Sequence, residues 1–383
     1  MSPSDNTQLK SINQTLLLPF VQHALSSNTV EIAEWDYQQL HGAGGGVGGT
    51  AIYRFSGKGR QKSEIIPWSL ILKVLQPGTD NDPSSSHYWK REAEAYRSGW
   101  LDNLSGGLVA PRCFGIGEYA SEVWIWLEDV TDDFGQQWPM ERYGLAARHL
   151  GQFNGIYLVH EDMPSWSWLS SQWIRKDLAA AAPKFNQLRN YPTHPILHRS
   201  LPQDLNKKAF RLWEDREIFL MALERLPDTV CHFDAFRQNL FARRNKDGQD
   251  QTVAIDWAFA GLGPLGVEIA ALVWVTLAFM EVEAKRAGDL ERIVFINYLD
   301  GLRDVGWKDD PRHIRFAFTA AIALRRLGTL GYTFDYFVNE SLYPAVQQLT
   351  GHSVEEVADQ FVEVGQFIEN LAGEARDLLD TLS

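Results

Sequence analysis

Cysteine is nearly missing. The chain holds only Cys113 and Cys231, so no disulfide framework can staple it, and a packed core must hold it together. Basic residues are in deficit too: 36 Lys and Arg stand against 49 Asp and Glu, a net charge of −13, which is the wrong sign for neutralising nucleic-acid phosphates. Long hydrophobic runs are also lacking. The longest, from Ile269 to Met280, stops after 12 residues at Glu281, where roughly 20 are needed to cross a bilayer. The N-terminal stretch has no basic segment followed by an apolar one. These shortages argue against nucleic-acid and membrane partners and lead to the expectation of a cytoplasmic protein.

What is present is a globular composition. In 383 residues, 45% are hydrophobic, 12% aromatic and only 22% charged, enough apolar surface to offset the entropy of ordering two packed units. Strand patterns occupy the early chain: Tyr37–Leu40, Ala51–Phe55, Trp68–Leu75 and Val123–Val130, with SGKGRQKSE read as a polar turn. One helix is predicted among them, in HYWKREAEAYRSGWL. From Tyr143 the pattern changes to amphipathic helices near 141–159, 203–225, 266–287, 289–305, 311–328 and 353–382, interrupted by a single strand pair around NKDGQDQ. The expected fold class is α+β, with a small antiparallel β-rich unit over residues 1–130 and a large, mostly helical unit over 131–383.

The most informative segment is VCHFDAFRQNLFARR, in which His232, Asp234 and Asn239 make H-x-D-x-x-x-x-N, followed by Asp256 at the end of an apolar strand. Phosphoryl transfer needs a carboxylate to orient the acceptor hydroxyl and take its proton. It also needs an amide oxygen and a second carboxylate to hold Mg²⁺ against the phosphates. Asp234, Asn239 and Asp256 match those roles, and a hairpin between the last two would bring them to adjacent strand ends. His232 reads as a brace for the loop.

Lys73 lies within the apolar strand WSLILKVL, where an unpaired ammonium would cost several kcal/mol. The following helix offers Glu92 on the stripe marked by Trp89, Ala93 and Tyr96, and puts Glu94 on the opposite face beside Arg91, Arg97 and Ser98. A strand Lys paired with a helix Glu positions nucleotide phosphates in kinases, although an edge-strand Lys and a surface Glu would give the same letters. Six of the eight residues from Gly42 to Gly49 are glycine. Such a tract can turn its N–H groups toward phosphate, with Gly45, Gly46, Gly48 and Gly49 as candidates, or can simply be a flexible hairpin.

Taken in order, these parts resemble the aminoglycoside phosphotransferase and choline kinase-like branch of the protein-kinase-like fold, over about residues 35–275, with IDW in place of the protein kinases' DFG. The resemblance implies ATP and Mg²⁺ as cofactors, a small-molecule hydroxyl acceptor, Asp234 as base, Asn239 and Asp256 as metal ligands, and Lys73 with Glu92 as the phosphate-positioning pair. It also implies a hinge at Leu127–Val130 whose backbone, at Glu128 and Val130, binds adenine. The family's usual HGD-x-H-P-x-N is here HFDAFRQN, with Phe233 for Gly, Phe236 for His and Arg237 for Pro. Asn154 replaces a His, and Glu268 replaces an Asp. Arg237 is a candidate replacement charge beside the phosphoryl group, and Trp166, Trp168 and Trp173 are either cleft or packing residues. The acidic charge suits an aminoglycoside, an amino sugar or an amino alcohol. The alternative is a nucleotide-binding pseudokinase; a protein kinase is disfavoured by the lack of an Ala-Pro-Glu segment.

Overall fold

The computed structural model describes residues 9, 12–40, 50–78, 80–135, 137–190 and 194–380. The N-terminal part runs α1 (Gln14–Ala24), β1 (Glu31–Leu40), β2 (Ala51–Gln61), β3 (Glu64–Leu75), α2 (Arg91–Arg97), β4 (Leu108–Val109), β5 (Cys113–Tyr119) and β6 (Glu122–Glu128). Five strands form an antiparallel sheet in the order β1-β2-β3-β6-β5. In its interior, β6 and the second half of β3 are buried on both faces, and side-chain alternation decides what each face meets. Leu70, Leu72, Val74, Trp124 and Trp126 pack with Leu17 and Val21 of α1. Leu75, Val123, Ile125 and Leu127 face the other way, into a core shared with Trp89 just before α2, Ala93 within it, and the helices beyond.

Two expectations change here. Residues 56–64 are not a polar turn, because β2 and β3 continue through them to a hairpin closed at Gln61↔Glu64; polar residues fit a strand whose outer end faces solvent. Helix α1 is not among the expected elements: Leu17, Phe20, Val21 and Ala24 do follow helical spacing, but Pro19 within the run reads as a helix breaker.

The remainder runs α3 (Met140–Val159), β7 (Ser170–Ser171), α4 (Trp173–Gln187), α5 (Pro195–Ser200), α6 (Gln203–Leu223), β8 (Asp228–Cys231), β9 (Leu240–Arg244), β10 (Asp250–Ala254), β11 (Gly261–Pro264), α7 (Glu268–Ala278), α8 (Ala287–Asp304), α9 (Pro311–Val338), α10 (Tyr343–Thr350) and α11 (Val354–Leu379). The expected single strand pair is instead two three-stranded sheets, β4-β10-β9 and β7-β11-β8; strands of two to four residues are too short to show a period. The expected helix over 266–287 is broken. Met280 adopts φ +61 and Glu281 N–H donates back to Thr276 O at 3.1 Å, closing α7 with a left-handed turn. Among the described residues no helix is long and apolar enough to cross a membrane.

Candidate active site

Lys73 sits on the inward side of β3, almost wholly buried. Its ammonium pairs with Glu92 on α2 and with Asp256 Oδ1 at 2.7 Å. Burial works against the ammonium, but the two carboxylates outweigh it and hold its pKa above the ordinary lysine value. Burial pushes the Glu92 carboxyl up, partly offset by Lys73. Asp256 is held below its ordinary value because Lys73 overcomes the burial cost. Glu94 is turned outward, near Arg97 at 3.5 Å.

Arg91 does not lie beside Glu94 on the outer face, as helical spacing predicts. It is fully buried and donates to Trp168 O at 2.7 Å and Ala258 O at 2.8 Å. As the first residue of a seven-residue helix, it reaches back past the helix end, where periodicity no longer dictates direction. The effect is to tie α2 to the segment just after Asp256.

The loop from β8 to β9 carries the second half of the site. Asn239 donates from Nδ2 to Asp234 Oδ2 at 2.9 Å and to Asp234 O at 3.0 Å. Ile255 N–H donates to Asn239 O at 2.9 Å, so Asn239 and Asp256 stand at the same end of the β9-β10 pair. His232 accepts Asp234 N–H at Nδ1, 3.2 Å away, and its Nε2–H donates to Ile255 O at 2.8 Å. Burial pushes this ring down to about 4, so it braces the loop as a neutral imidazole. Burial also raises Asp234 to about 7, assisted by Asp256 and opposed by Arg325.

Phe233, standing where the resemblance expects a glycine, adopts φ +64, a left-handed conformation costly for a bulky residue. The surroundings compensate. Glu268 accepts from His232 N and Phe233 N at 2.5 and 3.1 Å, Arg325 donates to Phe233 O at 2.9 Å, and the Phe233 ring stacks on Trp173 at 5.4 Å and 14°. Arg325 also lies 3.8 Å from Asp234. Asp177 accepts from Tyr332 at 2.9 Å nearby. Neither Arg325 nor Asp177 was singled out from the sequence, although the Arg325-Arg326 pair within an apolar helix is itself a sign of buried partners. Asn154 donates to Val230 O at 2.8 Å, supporting the strand that leads into the loop.

Arg237 is not directed at the reacting region. It is buried over the Trp138 ring at 4.6 Å, with Asp132 at 3.4 Å and the carbonyls of Leu240 and Gly135 as partners. Trp166 and Trp168 stack on each other at 5.0 Å and are packing residues. Glu128 ends β6, paired with Arg243 at 3.2 Å, and Asp129 beside it binds Arg54 and Ser69, each at 2.8 Å. Val130 follows directly, at the junction with the helical region. The glycine candidates Gly45, Gly46, Gly48 and Gly49 lie outside the described residues.

Asn239 and Asp256 are hard oxygen donors, suited to a hard divalent cation. Among the described residues no group of three His, Cys, Asp or Glu side chains is arranged as a metal cage. This donor set fits Mg²⁺, which usually keeps waters and takes one or two protein oxygens plus substrate phosphates.

The sequence profile described as the phosphotransferase enzyme family matches residues 98–298, more than half of the chain, and the chain belongs to that family. No curated protein matches it in sequence. Among solved structures it is similar to an amicoumacin kinase in complex with AMP-PNP and Ca²⁺, at 14% identity and a TM-score of 0.52, covering 92% of this chain and 96% of that one. It is also similar to an ethanolamine kinase from Plasmodium vivax, at 12% identity and a TM-score of 0.50, covering 95% and 89%. At such identities the likeness establishes a fold, and that fold is protein-kinase-like.

Proposed function

We propose that this chain is an ATP-dependent kinase that transfers the γ-phosphoryl group to a hydroxyl of a small molecule. The observation that carries the reading is the clasp of Lys73 between Glu92 and Asp256, with the Asp234–Asn239 pair at the same strand ends. Lys73 would hold nucleotide phosphates, kept in place by Glu92. The backbone at Glu128 and Val130 would meet adenine, and the tract containing Gly45, Gly46, Gly48 and Gly49 would cover the phosphates. Asn239 and Asp256 would hold Mg²⁺, which when bound supplies charge neutralisation at the phosphates.

Asp234 would accept a hydrogen bond from the acceptor hydroxyl and take its proton as the new O–P bond forms. The bond between the γ-phosphorus and the oxygen bridging to the β-phosphate breaks, and ADP leaves with that electron pair. Asn239 keeps the Asp234 carboxylate oriented. The neighbouring kinases named above act on small molecules, which supports the same acceptor class here.

Purified protein with Mg-ATP, screened against amino sugars, aminoglycosides, amino alcohols and neutral alcohols, tests the reading. ADP release that depends on one acceptor and is lost in Asp234→Asn is expected. Nucleotide binding with no acceptor turned over would favour a non-catalytic regulator instead, and no nucleotide binding at all would overturn the proposal.

A further inference from the structure

A pocket of about 240 Å³ opens between α7, α9, α10 and α11. Its walls include Trp274, Phe279, Thr333, Tyr336, Phe337 and Phe361, and none of its lining residues carries a charge. The aromatic walls are braced by edge contacts, Trp274 against Phe361 at 5.9 Å and Phe337 against Phe361 at 5.2 Å. The threonine hydroxyls are already donated to their own helices, Thr329 to Arg325 O at 3.0 Å, Thr333 to Thr329 O at 2.8 Å and Thr350 to Val346 O at 2.9 Å. A polyamine placed here would give up its hydration without gaining a counter-charge, and a polyol would find only the Tyr336 hydroxyl and the acceptor lone pairs of the threonines.

Two links join the pocket to the reacting carboxylate. Phe279, in the wall, stacks on Phe236 at 5.8 Å and 13°, and Phe236 is two residues from Asp234 in the same loop. On α9, Arg325 meets Asp234, while Thr329 and Thr333 of the pocket lie one and two turns further along the same face. At ~1.5 Å rise per residue these sit about 6 and 12 Å from the level of Arg325. These two links place the pocket beside the loop that carries Asp234. Phe236, standing where the resemblance expects a histidine, presents an apolar ring to Phe279.

We infer that the acceptor carries an uncharged apolar arm, an aryl or branched alkyl group, which fills this pocket while its hydroxyl reaches Asp234. An apolar cavity of ~150 Å³ is enough to take up benzene, so 240 Å³ accommodates a substituted or fused ring. This deepens the kinase reading and rests on it. The expectation of a cationic acceptor, drawn from net charge, is thereby confined to any charge carried at the hydroxyl end.

The test uses the full chain and 2-(2-naphthyl)ethanol as probe, with choline and kanamycin as charged comparators. Calorimetry measures binding of each, and coupled ADP release measures turnover. Saturable binding of the naphthyl alcohol is expected, weakened at least tenfold in Ala278→Leu, which fills the pocket from α7. The KM for ATP and the melting temperature should stay at parental values. Thr333→Leu fills the pocket from α9 and gives an independent reading if the first variant folds poorly. Absence of saturable binding, undiminished binding in both filled variants, or preferential binding of choline or kanamycin would overturn the inference. Mg-ATP binding is measured in parallel; its loss in the parent chain would strike the kinase reading, and naphthyl binding would then judge the pocket by itself.

Discussion

Arg325 donates to the carbonyl oxygen of Phe233 at 2.9 Å from 92 residues further along the chain, clamping a left-handed backbone position directly before Asp234. With Glu268 holding the Phe233 N–H at 3.1 Å, both sides of the residue are gripped, so the loop geometry that glycine adopts freely is here imposed by tertiary contacts.

At this position the usual ranking of glycine and alanine should reverse. Phe233→Ala loses the Trp173 stack and keeps the φ penalty, whereas Phe233→Gly loses the stack and removes the penalty of about 1–2 kcal/mol. Urea unfolding should therefore find the Gly variant more stable than the Ala variant by about 1 kcal/mol; equal stabilities or the opposite order would show that the backbone is unstrained.

Asp234, raised to about 7 by burial, must be ionised to take a proton. Acceptor kcat/KM should fall as pH drops through about 7, and Asp234→Asn should lower kcat by roughly 10²–10⁴-fold with nucleotide affinity retained. Stability follows the opposite sense. A carboxyl with a native pKa above its unfolded value favours the fold when protonated, and that contribution is lost as pH rises toward about 7. The melting-temperature advantage of Asp234→Asn over the parent should accordingly be larger at pH 8 than at pH 4.5.

The clasp around Lys73 predicts strong coupling. Lys73→Ala leaves Glu92 buried without its cation, a loss of about 3–5 kcal/mol, and a Lys73/Glu92 double-mutant cycle should give a coupling energy of about 1–3 kcal/mol. Glu94→Ala, on the solvent side, should change stability by less than about 0.5 kcal/mol. Additive losses at 73 and 92 would contradict the pairing.

Asp256 also adopts a left-handed backbone, φ +62, which Asn tolerates well. Asp256→Asn should keep the fold and remove the dependence of ATP affinity on Mg²⁺. Titrations of ATP with and without the ion provide the measurement, and an unchanged Mg²⁺ dependence would exclude Asp256 as a ligand.

Much of the site was legible because its signals are local or follow from charge. A lysine in an apolar strand must find a carboxylate, and helical spacing chose Glu92 over Glu94 for that face. Asp234, Asn239 and Asp256 lie within one loop and hairpin, so their convergence needs only short-range geometry. The sequence by itself therefore determined which groups converge in the candidate site and the α+β fold class. Tertiary structure decided what surrounds them: Arg91 and Arg237 turn into backbone carbonyls, Arg325 grips Phe233, and an uncharged pocket opens beyond Phe236. Periodicity states that a side chain is buried and leaves open against what. That choice is made by segments far apart in the chain, where packing and the need to satisfy buried polar groups select partners that no spacing rule contains.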